Sequence, residues 1–170
     1  SIIEGSSVNT ALNYHTFKHQ MQPKNEPAVI QKHDTEKTFS TQKPLTKPPK
    51  ILIVIPAHNE EKNIGAVLKG IQEQSPGLPI LVINDGSSDN TEKVVQDHNA
   101  EVISLPYNSG YGIALQTGFL YAVKNDFSIV VQLDSDGQHD PANIKDLIEA
   151  VQKENCDVVI GSRFLSKDSY

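Results

Sequence analysis

From Ile51 onward the chain alternates between short apolar runs rich in β-branched residues and longer stretches with helical spacing. "ILIVIP" (51–56) is continuous and apolar, as in a strand covered on both faces. "NEEKNIGAVLKGIQEQ" follows, with Ile64, Val67, Leu68 and Ile71 on one helical face. Asn59 is placed to cap that helix, and Glu60 and Glu61 suit its positive end. "SPG" (75–77) ends it. "LPILVIN" then reads as a second strand and "SSDNTEKVVQDHN" as a short helix that Ser87, Ser88 or Asp89 can cap. "EVISL" is a third strand, "YGIALQTGFLYAVKN" a third helix and "SIVVQLD" a fourth strand. Asp140 caps a helix with Pro141 at its first position, running through "NIKDLIEAVQKE", and "DVVIGS" is a fifth strand. This order predicts an α/β fold: a mostly parallel sheet with helices on both faces.

In such sheets ligands bind at the carboxyl ends of the strands. Three loops at those ends are polar and acidic: "PAHNEE", "NDGSSDN" and "DSDGQHD". A dinucleotide fold needs G-x-G-x-x-G after the first strand, and "PAHNEE" has no glycine. "GYGIAL" (110–115) lacks the third glycine, and no Walker lysine motif exists to neutralise phosphates. "DSDGQHD" begins like a calcium loop, but positions six and twelve hold His139 and Lys145 instead of glycine and glutamate.

Two readings of Asp134 and Asp136 stand. They make turn and cap hydrogen bonds, or they hold a divalent cation. Hard oxygen ligands suit Mg²⁺ or Mn²⁺, with the remaining positions open to phosphate oxygens. Asp85 is equally double. "NDGS" is a good turn, and a carboxylate there can also accept from the ring N–H of a base. His58 is a loop histidine whose flat ring can stack on a base. Arg163, the single arginine, makes either a surface salt bridge or a forked donor to phosphate.

Charge separates the chain into two parts. Residues 1–50 hold seven lysines against four acids, and residues 51–170 hold eight basic residues against seventeen acids. The latter part, net −9, is a poor nucleic-acid binder, so no nucleic-acid partner is expected. It can still take an anionic ligand through a metal. Residues 1–49 read as a flexible leader ending in the Pro/Lys linker "KPLTKPPK", and His15 and His19 fall on a transient helix there. Cys156 is the single cysteine and reads as a small buried hydrophobe, so no intrachain disulfide is possible. No stretch reaches the roughly 18 apolar residues of a membrane span, and no signal-peptide core is present.

Together, "ILIVIPAHNEEKNI", "LVINDGSSDNT", "NSGYGIALQTGF", "VVQLDSDGQHDP" and "DVVIGSRF" resemble the inverting family 2 glycosyltransferases with the GT-A fold. The dolichol-phosphate mannosyltransferase and polyprenyl-phosphate glycosyltransferase branch is most similar. The resemblance covers roughly residues 51–165 in the family's order. It implies that Pro56, His58 and Glu60 belong to the loop holding the nucleoside and that Ile83 and Asp85 contact the base. Ala57, Gly86 and Ser135 join the nucleotide-binding set by the same resemblance. Asp134 and Asp136 match the D-x-D metal pair, Gln138 a further metal-side ligand, and Arg163 a basic residue near the donor phosphates. Asp136 and Arg163 are the implied catalytic residues. His58 stands where an aromatic is frequent, and Asn84 replaces a frequent aspartate. The family's catalytic domain continues past "GSRF", so residues 50–170 are expected to be the donor-binding half.

The implied reaction is metal-dependent inverting transfer from a GDP- or UDP-linked sugar to a polyprenyl or dolichyl phosphate. The expected setting is the cytoplasm, at the cytoplasmic face of a membrane. An ionised phosphate acceptor needs no general base, and no candidate base is found; a sugar hydroxyl would need one. A nucleotidyltransferase and a non-catalytic nucleotide-sugar-binding fragment are the alternatives.

Overall fold

The apolar runs become strands because each alternates its side chains between two hydrophobic layers. A computed structural model describes residues 9–13, 48–138, 140–153 and 157–161. Its strands are β1 (Asn9–Asn13), β2 (Ile51–Ala57), β3 (Ile80–Asn84), β4 (Glu101–Ser104), β5 (Ile129–Gln132) and β6 (Val158–Gly161). Its helices are α1 (Ile64–Gln74), α2 (Thr91–Asp97), α3 (Tyr111–Lys124) and α4 (Asn143–Lys153). Among the described residues the strands form one sheet in the order β4-β3-β2-β5-β1-β6.

In β2, Ile53, Ile55 and Ala57 enter one buried cluster, and Leu52 and Val54 the other. Ile80 and Val82 of β3 follow the first set, and Leu81 and Ile83 the second. The first layer is closed by α1, α2 and α4, through residues such as Leu68, Val95 and Leu147. The second is closed by α3, through Ala114 and Ala122. Helices therefore cover both faces, as the uninterrupted apolar strands require. On the α3 side the approach is close. A Cβ at Gly118 would lie 2.4 Å from Val54 Cγ1.

Strands β2, β3, β4 and β5 pair in parallel. The chain builds outward from β2 to β3 and β4, then returns to place β5 on the other side of β2. The order therefore reverses between β2 and β5. Such a switch point opens a crevice at the carboxyl ends of the two strands.

The structure differs from the sequence reading at residues 9–13 and at three helix starts. Residues 9–13 lie within the stretch read as a flexible leader, yet they form β1. This strand pairs antiparallel with both β5 and β6. "NTALN" carries no strand pattern of its own, so its extended form comes from the backbone partners on either side. The rest of residues 1–47 lies outside the described residues. Asn59 does not cap α1, which begins at Ile64 after a turn over Glu60–Asn63. Asp89 and Asp140 likewise sit just outside their helices: α2 has Asn90 at its cap, and α4 starts at Asn143 rather than Pro141. Asp89 Oδ1 (Thr91 amide, 3.0 Å) and Asp140 Oδ1 (Ala142 amide, 2.9 Å) therefore close turns that lead into the helices. No helix among the described residues is long and apolar enough to cross a membrane.

Gly118→Ala should force Val54 or α3 to shift, costing about 1–3 kcal/mol. A urea-denaturation midpoint unchanged from wild type would contradict this packing.

Candidate functional site

Loops after β2, β3 and β5 meet at the switch point, and the first two are stitched together. Asn59 adopts a left-handed backbone (φ 56°), which asparagine tolerates, and this turns its side chain toward the next loop. The Asn59 amide donates to Ser87 Oγ at 2.9 Å, and the Ser88 amide donates to Asn59 Oδ1 at 2.8 Å. The Glu60 amide donates to Thr91 Oγ1 at 2.8 Å. Glu61 and Asp89 exchange roles: the Glu61 amide donates to Asp89 Oδ2 at 3.1 Å, and the Asn90 amide to Glu61 Oε2 at 3.0 Å. Burial acts to raise the Asp89 pKa, but bonds from the Thr91 hydroxyl and amide and the Glu61 amide outweigh it and hold the carboxyl low. Much of the acidity of these loops is therefore spent on backbone amides.

His58 is exposed beside this seam. Its Nδ1 lies 2.7 Å from the Asp85 carbonyl, which can only accept, so Nδ1 carries the proton. Nε2 then accepts from the Asn59 side-chain amide at 3.1 Å. Pro56 and Ala57 are buried at the end of β2, opposite Ile83 and Asn84. Ile83 lies wholly in the core, backbone included, so it presents no surface to a ligand. Glu60 Oε2 accepts from the Asn63 side chain at 2.8 Å.

Asp85 is 4 % exposed, and both oxygens of its carboxylate accept hydrogen bonds. Oδ1 accepts the Ser109 amide at 2.7 Å, and Oδ2 accepts the Gly110 amide at 2.8 Å. These amides lie at the start of α3, a helix without a side-chain cap of its own. The buried anion thus serves as the cap, where the helix end favours negative charge. Gly86 follows with φ +61°, and a Cβ there would meet the Tyr107 carbonyl carbon at 2.3 Å. Only glycine lets the two loops approach so closely.

The β5 loop holds the paired aspartates. Both are partly buried, with Ser135 buried between them and Gln138 exposed. Asp136 Oδ1 accepts the Gln138 amide at 2.9 Å, the Asx turn that one reading of the sequence expects. Asp134 Oδ1 accepts from Gln132 Nε2 at 3.0 Å and from the Tyr111 hydroxyl at 3.2 Å. Gln132 Nε2 also donates to the Tyr111 oxygen at 2.7 Å. Burial pushes the Tyr111 phenol well above its ordinary pKa, and the Asp134 carboxylate adds to the effect, so the hydroxyl stays protonated.

No group of three or more His, Cys, Asp or Glu side chains that could hold a metal occurs among the described residues. Two carboxylates on a three-residue turn do not make a closed zinc site. They do fit Mg²⁺ or Mn²⁺, which keep water and phosphate as their other ligands. Arg163 and His139 lie outside the described residues, as do Cys156, His15 and His19.

Sequence reasoning missed Tyr111, Gln132 and the Ser109–Gly110 amides. Gln132 carried a signal: it is the single polar residue in the buried run "IVVQL". Tyr111 carried none beyond its place after Gly110.

The family described as Glycosyl transferase family 2 matches residues 52–170. An uncharacterised protein of Methanocaldococcus jannaschii is 36 % identical over 118 residues, covering 69 % of this chain and 48 % of that protein. Polyprenol monophosphomannose synthase of Mycolicibacterium smegmatis is 30 % identical over 120 residues, covering 67 % of this chain and 45 % of the synthase. The chain thus spans about half the length of these relatives. Among solved structures, glucosyl-3-phosphoglycerate synthase from Mycobacterium tuberculosis, in complex with Mn²⁺, UDP and glucosyl-3-phosphoglycerate, superposes with a TM-score of 0.51. It is 30 % identical, over 61 % of this chain and 39 % of that one. The parallel sheet, the acid pair at the mouth of β5 and a family match over most of the chain agree: this chain belongs to glycosyl transferase family 2 and has the GT-A fold of that family's structures.

Proposed function

We propose that residues 50–170 form the donor-binding half of an inverting glycosyltransferase, which moves a sugar from a GDP- or UDP-linked donor to a polyprenyl phosphate. The observation that carries this reading is the position of Asp134 and Asp136, at the mouth of β5 beside the switch point. The similarity to a polyprenol monophosphomannose synthase supports a lipid phosphate as acceptor. A lipid acceptor would set the reaction at a membrane surface, on the cytoplasmic side.

Asp134 and Asp136, with Gln138 as a further ligand, would hold Mg²⁺ or Mn²⁺. When bound, the cation offsets the charge that grows on the departing diphosphate. The chain's own groups position the donor. His58 is held with its ring edge fixed by two hydrogen bonds, so its face is available to stack on the base. Pro56, Ala57, Glu60, Gly86 and Ser135 would shape the nucleoside and diphosphate pocket. Asp85 acts by holding the 109–110 turn against β3, because both its oxygens already accept backbone amides. Arg163 would supply the forked donor to the phosphates and, with Asp136, complete the catalytic set. A phosphate acceptor is already ionised near neutral pH and attacks without a general base.

A thermal-shift panel of nucleoside diphosphates and their sugars, with and without Mn²⁺, is expected to show one base preferred and the cation required. In a turnover assay, release of nucleoside diphosphate is expected, whereas pyrophosphate would mark nucleotidyl transfer instead. Asp136→Asn should lower Mn²⁺-dependent nucleotide affinity by about tenfold or more, and Tm should hold or rise as carboxylate repulsion is relieved. Unaltered nucleotide binding in that variant would refute the metal assignment. Asp85→Ala removes the acceptor shared by the Ser109 and Gly110 amides, of which Gly110 keeps Asn108 Oδ1 at 3.1 Å, and should cost about 1–3 kcal/mol. Asp85→Asn should cost less, since one acceptor remains. Equal denaturation midpoints for wild type and Asp85→Ala would show that the carboxylate is not the clamp.

A further inference from the structure

The two aspartates of the β5 loop are held in unlike ways. The hydrogen bond to Asp136 comes from the amide of Gln138 in its own turn. Asp134 is gripped from two regular elements. Gln132 belongs to β5 and is 4 % exposed, and Tyr111 is the first residue of α3. Both donate to the same oxygen, Oδ1, at 3.0 and 3.2 Å.

The third side of the triangle decides where the phenol proton lies. Gln132 Nε2 has two hydrogens and serves both Asp134 Oδ1 and the Tyr111 oxygen, the latter at 2.7 Å. With its oxygen accepting from Gln132, the phenol directs its own proton at Asp134. Two donors on one oxygen fix the rotation of that carboxylate. The start of α3 is itself fixed, because Asp85 accepts the amides of Ser109 and Gly110 immediately before Tyr111. A line of hydrogen bonds therefore runs from the end of β3 through the start of α3 to the β5 loop.

We propose that Tyr111 is a positioning residue: its hydroxyl, braced by Gln132, presets Asp134 to receive the divalent cation. The inference rests on the reading of Asp134 as a cation ligand. Groups that orient a metal ligand act on cation affinity rather than on the ligand's existence, because the carboxylate remains when they are removed. Tyr111 is 53 % exposed, so loss of its hydroxyl leaves the core intact.

The test is Tyr111→Phe in the 170-residue chain. Mn²⁺ is titrated at fixed UDP or GDP, with thermal shift and the electron paramagnetic resonance signal of free Mn²⁺ as readouts. The half-saturating Mn²⁺ concentration should rise about tenfold, while nucleotide affinity at saturating Mn²⁺ and the Tm of the ligand-free chain stay at wild-type values. An unchanged Mn²⁺ half-saturation would overturn the proposal. So would a Tm that falls together with Mn²⁺ affinity, since that marks the phenol as a structural prop of α3. The wild type separately tests the reading beneath it. Nucleotide binding that ignores Mn²⁺ in the wild type would remove the cation site, and Tyr111 would have nothing to position.

Discussion

A buried carboxylate with two backbone amides as partners holds the mouth of this sheet together. Asp85 sits at the end of β3 and reaches the Ser109 and Gly110 amides at 2.7 and 2.8 Å. An unpaired buried charge would be strongly destabilising, and an uncapped helix start leaves orphan donors. Each problem resolves the other. The direction in which α3 leaves the loop follows from this contact, and with it the position of Tyr111. Gly86 is the steric condition of the same contact, because any Cβ there would collide with the Tyr107 backbone.

Around that clamp, the loop acids divide by use. Asp89 and Glu61 each receive backbone amides from the opposite loop, and they bind the first two loops into one rigid rim. Asp134 and Asp136 receive donors as well, but these orient the carboxylates at the open end of β5. A mouth lined by acids is suited to a phosphorylated ligand only if a cation lies between, since like charges otherwise repel at short range.

Most of the layered fold was readable from residue order. "ILIVIP" and "LPILVIN" are apolar at every position that faces either layer, and the α1 stripe of Ile64, Val67, Leu68 and Ile71 is buried as its spacing predicts. The helix start at Ile64 was harder to read. Asn59 is a good cap by type, yet its side chain accepts from Ser88, a partner 29 residues away. Strand β1 was illegible for a related reason. Its five residues have backbone partners in β5 and β6, and pairing to distant strands leaves no local pattern. Gln132 shows the intermediate case: a polar residue in an apolar run announces a role without naming its partner.

By itself the sequence determined the alternation of strands and helices, the two-sided burial of β2 and β3, and the placement of polar loops at strand ends. Those properties depend on periodicity and on residue type, which act over a few neighbouring positions. The tertiary structure alone decided that Asp85 caps α3, that Asp89 and Glu61 bind backbone, and that Tyr111 and Gln132 converge on Asp134. A carboxylate acquires its role from the donors within about 3 Å of it, and those donors come from chain segments that only folding brings near.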